Sequence, residues 1–464
     1  MKLRLLVAAV SVALCAVMAG TAFARNPHVA GGIQYVTQGL NDFQKGNKDD
    51  YLREMNKAVD QLSLGAQEDP NDYEGLGYLG WAYAELDSAG PAGIWFAKAA
   101  EVATAKGDKK KLDVINSNRD HYWSIAFNDG IKGIQDAQQF NDAGAKDEAA
   151  KAFAAASVKL TNATLLRPGH PQTIRNLATS YALANNFDAA ERVLVDGLAK
   201  CGADTSAHVL TDALKTVRAN KAGALTDAKK YDEAIAYYVD LTKGEPGNAD
   251  LWMGLGNAYY NRAGTKQDAA KKADFKSAAD AYAKAFEFRN TDGSLAFNAA
   301  LSYQNAGELL LAEGQWRAFL KVTPGDADAL SSLGSVLADE KKYDDARAAL
   351  EQAVTLKPDE KIYFRQLAAV FSKQGNNAKT TEMMFVYLPM ANGKLAADPA
   401  AATKSAKGAA ATTAGAVGVP DKVYDWTDNT AGALQTWVYT PKHLAFTFNT
   451  AGLLVQKSDW NPKK

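Results

Sequence analysis

Along most of the chain, apolar residues recur at steps of three and four, and the steps come in blocks. From Asp328 to Asp339, the residues Leu330, Leu333, Gly334 and Leu337 form one apolar stripe at helical spacing. Lys341-Lys342-Tyr343-Asp344 makes a turn, after which Ala346, Leu350 and Ala353 build a second stripe that Pro358 ends. Each block therefore predicts two antiparallel helices. Gly334 and Ala346 lack bulk where the two would approach most closely, while Leu330, Leu337 and Leu350 fill the space on either side. One such hairpin cannot bury both stripes. Stacked neighbours can, which predicts a superhelical row of helix pairs with a continuous core and two curved faces.

The blocks share a register. Ten residues after Pro70, Pro168, Pro246, Pro324 and Pro358 stand Gly80, Ala178, Gly256, Gly334 and Ala368. Six residues after the same prolines stand Leu76, Ile174, Trp252, Leu330 and Phe364. Twelve residues after the small residue another follows, as in Gly80 to Ala92, Ala178 to Ala190, Ala300 to Ala312 and Gly334 to Ala346; four later come Phe96, Leu194, Trp316 and Leu350. Where blocks abut, the interval is 34 residues, from Ala300 to Gly334 to Ala368.

This pattern resembles the tetratricopeptide repeat family. The residues that carry the resemblance are Trp252, Leu255, Gly256 and Tyr259 in one block, Leu79, Gly80, Tyr83, Ala92, Phe96 and Ala99 in another, and Leu333, Gly334, Ala346, Ala353 and Pro358 in the clearest. Departures occur at about ten extra residues, Ala263 to Lys272, and in the pairs around Trp123 to Leu166 and over residues 205–246, whose first helices lack a clean signature. Ile33 to Gly65 looks like a degenerate capping pair. The resemblance implies an all-α superhelix of helical hairpins, an α-solenoid, over residues 71–390, with an N-terminal helical cap at 25–70. It further implies that the first helix of each pair lines a concave, protein-binding groove. Residues beside the small core position would face that groove: Tyr78 and Trp81; Arg175 and Asn176; Asn257, Tyr260 and Asn261; Asn298 and Asn305; Arg365 and Gln366. Asn and Arg suit it because they hydrogen-bond the backbone and carboxylates of an extended peptide. Repeats that clamp a chaperone's C-terminal carboxylate carry a Lys one turn before such an Asn, but Met253 precedes Asn257 here.

After Met390 the helical pattern stops. Residues 391–417 are rich in Ala, Thr, Gly and Lys and predict a flexible linker. Residues 418–464 change again: Leu434 to Tyr439 and Leu444 to Phe448 alternate with period two, an Asn449-Thr450-Ala451-Gly452 turn follows, and Leu453-Leu454-Val455 comes after it. That predicts a small β-hairpin module of two or three strands, which needs a surface to dock on. Gly418-Val419-Pro420-Asp421-Lys422-Val423, with Gln435 to Tyr439 and Phe446 to Val455, is similar over ~40 residues to the C-terminal part of the small lipoproteins of outer-membrane β-barrel assembly, without that domain's helical half.

The start of the chain reads as an address. Lys2 and Arg4, the apolar run Leu5 to Met18 and the small-x-small site Ala22-Phe23-Ala24 predict a signal peptide over residues 1–24. Leu14 before Cys15 is too bulky for a lipoprotein signal, and the run is shorter than the ~20 apolar residues of a membrane span. Without Lys2 and Arg4, the 52 basic and 53 acidic residues leave a mature net charge of about −3, which gives no sign of a nucleic-acid partner. Cys201 is then the only cysteine, so no internal disulfide forms, and a packing role is expected for it.

Chemistry-bearing motifs are decoys. Gly75-Leu76-Gly77-Tyr78-Leu79-Gly80 matches a dinucleotide fingerprint, but a turn and helix cap precede it where a strand is required. The five histidines have no metal-ligand spacing, and there is no G-x-S-x-G, H-E-x-x-H or P-loop. The expectation is a non-enzymatic, exported scaffold, periplasmic or associated with the outer membrane. It takes no cofactor or metal, and it binds protein or peptide partners in its groove. Alternatively, it is an architectural part of an envelope or secretion assembly, docked through the C-terminal module.

Overall fold

The computed structural model of the chain describes residues 25–201 and 207–461, so the expected signal peptide lies outside the described residues. Among the described residues from Pro27 to Asn392 eighteen α-helices follow one another in nine pairs, and a small antiparallel sheet comes after them. The chain divides into two compact units, residues 1–221 and 222–464, with the boundary inside the helix His208–Asp227.

The prolines of the register stand just outside helix starts, and the residue two positions on is the cap. Asp72 accepts from the backbone N–H of Glu74 and Gly75, Asn248 from Asp250 and Asp326 from Ala329. Within each pair the turn closes in the same way. The backbone N–H of Ser88 donates to Tyr83 O, that of Asn186 to Tyr181 O, that of Glu308 to Tyr303 O and that of Lys342 to Leu337 O, satisfying a carbonyl the helix end leaves open. The closure needs one left-handed residue. Gly307 adopts it freely, whereas Asp87, Asn185 and Lys341 hold it at φ 54°, 59° and 63° against a steric cost.

In five of the nine pairs among the described residues the two helices are spaced by contact between a first-helix glycine and a large second-helix residue, and in three others Ala178, Ala300 or Ala368 takes the glycine's place. A Cβ on Gly80 would lie 3.0 Å from the ring of Phe96, one on Gly256 2.7 Å from Tyr282, and one on Gly334 2.7 Å from Leu350. The ten-residue insertion respects this contact: it lengthens the second helix, Asp268–Phe288, instead of forming a loop. Arg262 holds it to the first helix by two hydrogen bonds to Asp274, at 2.9 and 2.7 Å. Pairs without a clean signature obey the same rule, since Gly32 meets Leu62 and Gly130 meets Leu160, each 2.5 Å from the absent Cβ. The pair holding Gly130 is built from longer helices, Lys109–Asp142 and Lys146–Leu166.

The second unit ends in a five-stranded antiparallel sheet in chain order, β1 (Lys394–Leu395), β2 (Lys422–Asp428), β3 (Gly432–Tyr439), β4 (Leu444–Asn449) and β5 (Leu454–Asp459). Two expectations need correction here. The module has five strands, not two or three, and residues 391–417 are not a flexible linker. They form β1 and the helices Pro399–Lys404 and Gly408–Val417, which supply the helical part the sequence reading denied the module. The physical reason is that alanine gives a helix a thin face, and Ala402, Ala406, Ala409, Ala410 and Ala414 pack on Trp437, Tyr439, Phe446 and Phe448. The opposite face of the sheet rests on the last helical pair: Trp460 lies edge-on to Phe364 at 5.2 Å and Trp426 to Phe385 at 5.7 Å. Glu382 and Lys379 bond the outward backbone N–H and C=O of Asp459, at 3.1 and 3.0 Å, so one half of the β5 edge is closed. The module thus docks on its own chain and ends the row of repeats.

Two tests follow from these contacts. Gly334→Val should lower stability by about 1–3 kcal/mol by forcing Leu350 off its site, read as a shift of the urea midpoint; an unchanged midpoint contradicts the close-approach account. Truncation after Asn392 strips the cover from Phe364 and Phe385, and light scattering should show association or precipitation; a monodisperse monomer with unchanged melting would show that the sheet completes nothing.

Candidate protein-binding groove

Four of the expected groove residues fall in the first unit. Tyr78 and Trp81 are buried, at 2% and 3% exposure, so they do not line a groove. The helix that carries them, Tyr73–Glu85, is covered all round: every residue from Gly75 to Ala82 is buried, with Val29 close to Gly75 on one side and Ile115 close to Gly77 on another. Tyr78 stacks on Trp81 with ring centroids 5.6 Å apart. Below them lies a polar centre that sequence reasoning missed. Glu85 accepts from the Trp81 indole at 3.1 Å, from the Tyr51 hydroxyl at 2.7 Å and from the Tyr122 hydroxyl, joining three successive helical pairs through one carboxylate. Burial, and then the Glu85 charge, push the Tyr122 hydroxyl far above its ordinary range, so it remains a donor. The signal was a carboxylate one turn after Trp81, at the end of a helix with no other charged residue after Glu74.

Arg175 is exposed on the helix Pro171–Leu183 and lines a cleft of about 450 Å³ against the start of the helix His208–Asp227. Thr179 stands one turn on, with Asp212, Thr216 and Asn220 opposite, over a floor of alanines that includes Ala178. Among the described residues Arg175 makes no ion pair. Asn176, beside it, is half-buried and its Oδ1 accepts from Gln172 at 3.4 Å. Asp212, Thr216 and Asn220 were legible only as an i, i+4, i+8 stripe on a helix whose apolar face is indistinct.

The other seven lie in the second unit. Asn257 is exposed, and its Oδ1 accepts from the Tyr282 hydroxyl at 2.6 Å; Asn261, one turn on, is also exposed. Tyr260 is half-buried, edge-on to Phe275 at 5.3 Å. Asn298 is half-buried and Asn305 exposed. Arg365 is exposed with its guanidinium 5.9 Å from the Tyr387 ring. Gln366 bridges to the preceding first helix, accepting from Ser331 Oγ at 2.6 Å and donating to Ser335 Oγ at 2.7 Å. These side chains offer amides, hydroxyls and one guanidinium, which bind a peptide backbone without covalent chemistry. Among the described residues no three metal-ligating side chains come together, and no helix is long and apolar enough to cross a membrane.

The tetratricopeptide repeat family model matches residues 220–286 and 297–361. Those residues are tetratricopeptide repeats, a repeat type that supports a scaffold for protein interaction. The chain's all-α repeat row is as the register implied, and a C-terminal antiparallel sheet follows it, with five strands where two or three were expected. Among similar solved structures, one of the MamA protein is 18% identical, with 38% of this chain and 91% of that chain covered and a TM-score of 0.33. Another, MamA from Desulfovibrio magneticus RS-1, is 17% identical, with 38% and 94% covered and a TM-score of 0.32. No curated protein sequence matches the chain.

Replacing Glu85 by Ala removes the carboxylate that accepts from Trp81 and Tyr122, while Tyr51 keeps the backbone carbonyl of residue 85 at 3.0 Å, and should cost about 1–3 kcal/mol, measured by urea unfolding. Glu85→Gln keeps part of the acceptor capacity and should cost less. A loss of a few tenths for Glu85→Ala would show that the Trp81 and Tyr122 donors find water instead.

Proposed function

We propose that this protein is an exported, non-enzymatic tetratricopeptide scaffold, in the periplasm or at the outer membrane, that holds segments of partner proteins on its first-helix face. The observation that carries the reading is the cleft of about 450 Å³ beside Arg175: a guanidinium without an ion pair among the described residues, and amide and hydroxyl side chains, over a floor that includes Ala178, Ala182 and Ala213. The exposed Asn257, Asn261 and Asn305 of the second unit offer the same backbone-binding chemistry. A photo-crosslinker at Thr179 in cells should capture envelope proteins, and Arg175→Ala with Asn220→Ala should reduce capture by about tenfold, or 1.4 kcal/mol. Equal capture by that double variant and by the exposed second-helix change Lys243→Ala would sink the reading.

The second reading, an architectural part of an envelope assembly docked through the C-terminal module, is favoured by one feature. Leu453 and Leu454 are 59% and 46% exposed at the start of β5, on the half of its edge that Glu382 and Lys379 do not close.

A further inference from the structure

The C-terminal module contains a cleft of about 540 Å³ between its two alanine-rich helices and the sheet, separate from the first-helix face. Sites for small molecules commonly measure ~300–1,000 Å³. On the helix side Ala402, Ala406 and Ala410 leave the space open, and Trp437 and Phe448, with ring centroids 5.0 Å apart, close the floor. The lining carries one carboxylate, Asp425 on β2, and one ammonium, Lys407 on the helical side.

Asp425 is held in place by a relay. The Trp437 indole N–H donates to Gln435 Oε1 at 2.7 Å, and Gln435 Nε2 donates to Asp425 Oδ1 at 2.8 Å. An indole can only donate, so the amide must turn its oxygen to Trp437 and its NH₂ to the carboxylate. That order fixes the anion and leaves it further acceptor sites. Among the described residues neither Asp425 nor Lys407 has an ion-pair partner.

A positioned anion and a cation lining one cleft over an aromatic floor are complementary to a small zwitterion. We propose that the module binds a free α-amino acid or dipeptide, with its ammonium on Asp425, its carboxylate at Lys407 and its side chain toward Trp437 and Phe448. A simple amine would face the like charge of Lys407 and a simple acid that of Asp425, so each should bind more weakly than a ligand carrying both groups. The proposal does not rest on the groove reading, and either can fail without the other.

The test is a titration of the full mature chain, with the Trp437 indole N–H followed by NMR and assigned by its loss in Trp437→Phe. The probes are L-leucine, L-phenylalanine and glycyl-leucine, against phenethylamine and 3-phenylpropionate, which each lack one charge. A saturable shift is expected with at least one zwitterion, with both single-charge analogues weaker by about tenfold or more. Asp425→Asn and Lys407→Gln should each weaken binding similarly, and both replace exposed side chains. No saturable shift with any zwitterion up to about 10 mM, equal binding of phenethylamine, or a shift indifferent to both substitutions would overturn the proposal.

Discussion

One steric contact recurs through the helical part of this protein: a first-helix glycine, or an alanine in its place, set against a large second-helix residue. It is not a matter of helix propensity, since glycine is among the poorest helix formers. The glycines pay for themselves by letting two backbones approach until Phe96, Tyr282 or Leu350 fills the groove between them. Once that distance is fixed, the turn between helices has little freedom, and the same closure appears after Tyr83, Tyr181, Tyr303 and Leu337. The register of prolines and caps outside each pair then follows from helices of nearly constant length.

The register was legible wherever the pairs are short, because glycine and partner then stand sixteen positions apart, as in Gly80–Phe96 and Gly334–Leu350. In the pairs that looked degenerate, Gly32–Leu62 and Gly130–Leu160, the separation is thirty. The extra fourteen positions amount to seven per helix, about two turns of 3.6 residues. After two turns the same face returns to the partner, so the contact survives while the offset used to find it does not. The insertion after Gly256 differs in that Gly256 and Tyr282 are twenty-six positions apart, and a bidentate Arg262–Asp274 pair secures the added length.

Groove positions were less legible than core positions, and the reason is geometric. Register tells which side of a helix points away from its own partner helix, but not whether a neighbouring pair covers that side. Arg175 remains exposed, whereas Tyr78 and Trp81, at comparable places in their pair, are closed in by the N-terminal pair and by the long helix Lys109–Asp142. Burial then demanded an acceptor for the Trp81 indole, and Glu85 supplies it while also taking two tyrosines. A polar residue that looked like the end of a helix is therefore a junction between pairs.

Composition misled at residues 391–417 for a related reason. Alanine, threonine and glycine without large apolar residues suggest a linker when read as an isolated segment, since such a chain buries little area of its own. Placed on a sheet whose β3 and β4 present Trp437, Tyr439, Phe446 and Phe448, the same residues are the right size, because the sheet supplies the bulk and the helices need only come close. The opposite face of that sheet, with Val438, Ala445 and Trp460, is spent on the last helical pair. With both faces covered, the chemistry left to the module is confined to the open half of the β5 edge and to the cleft where the alanines leave space above Trp437. In this module the small residues that form the helical wall are also what keeps a cavity beside it.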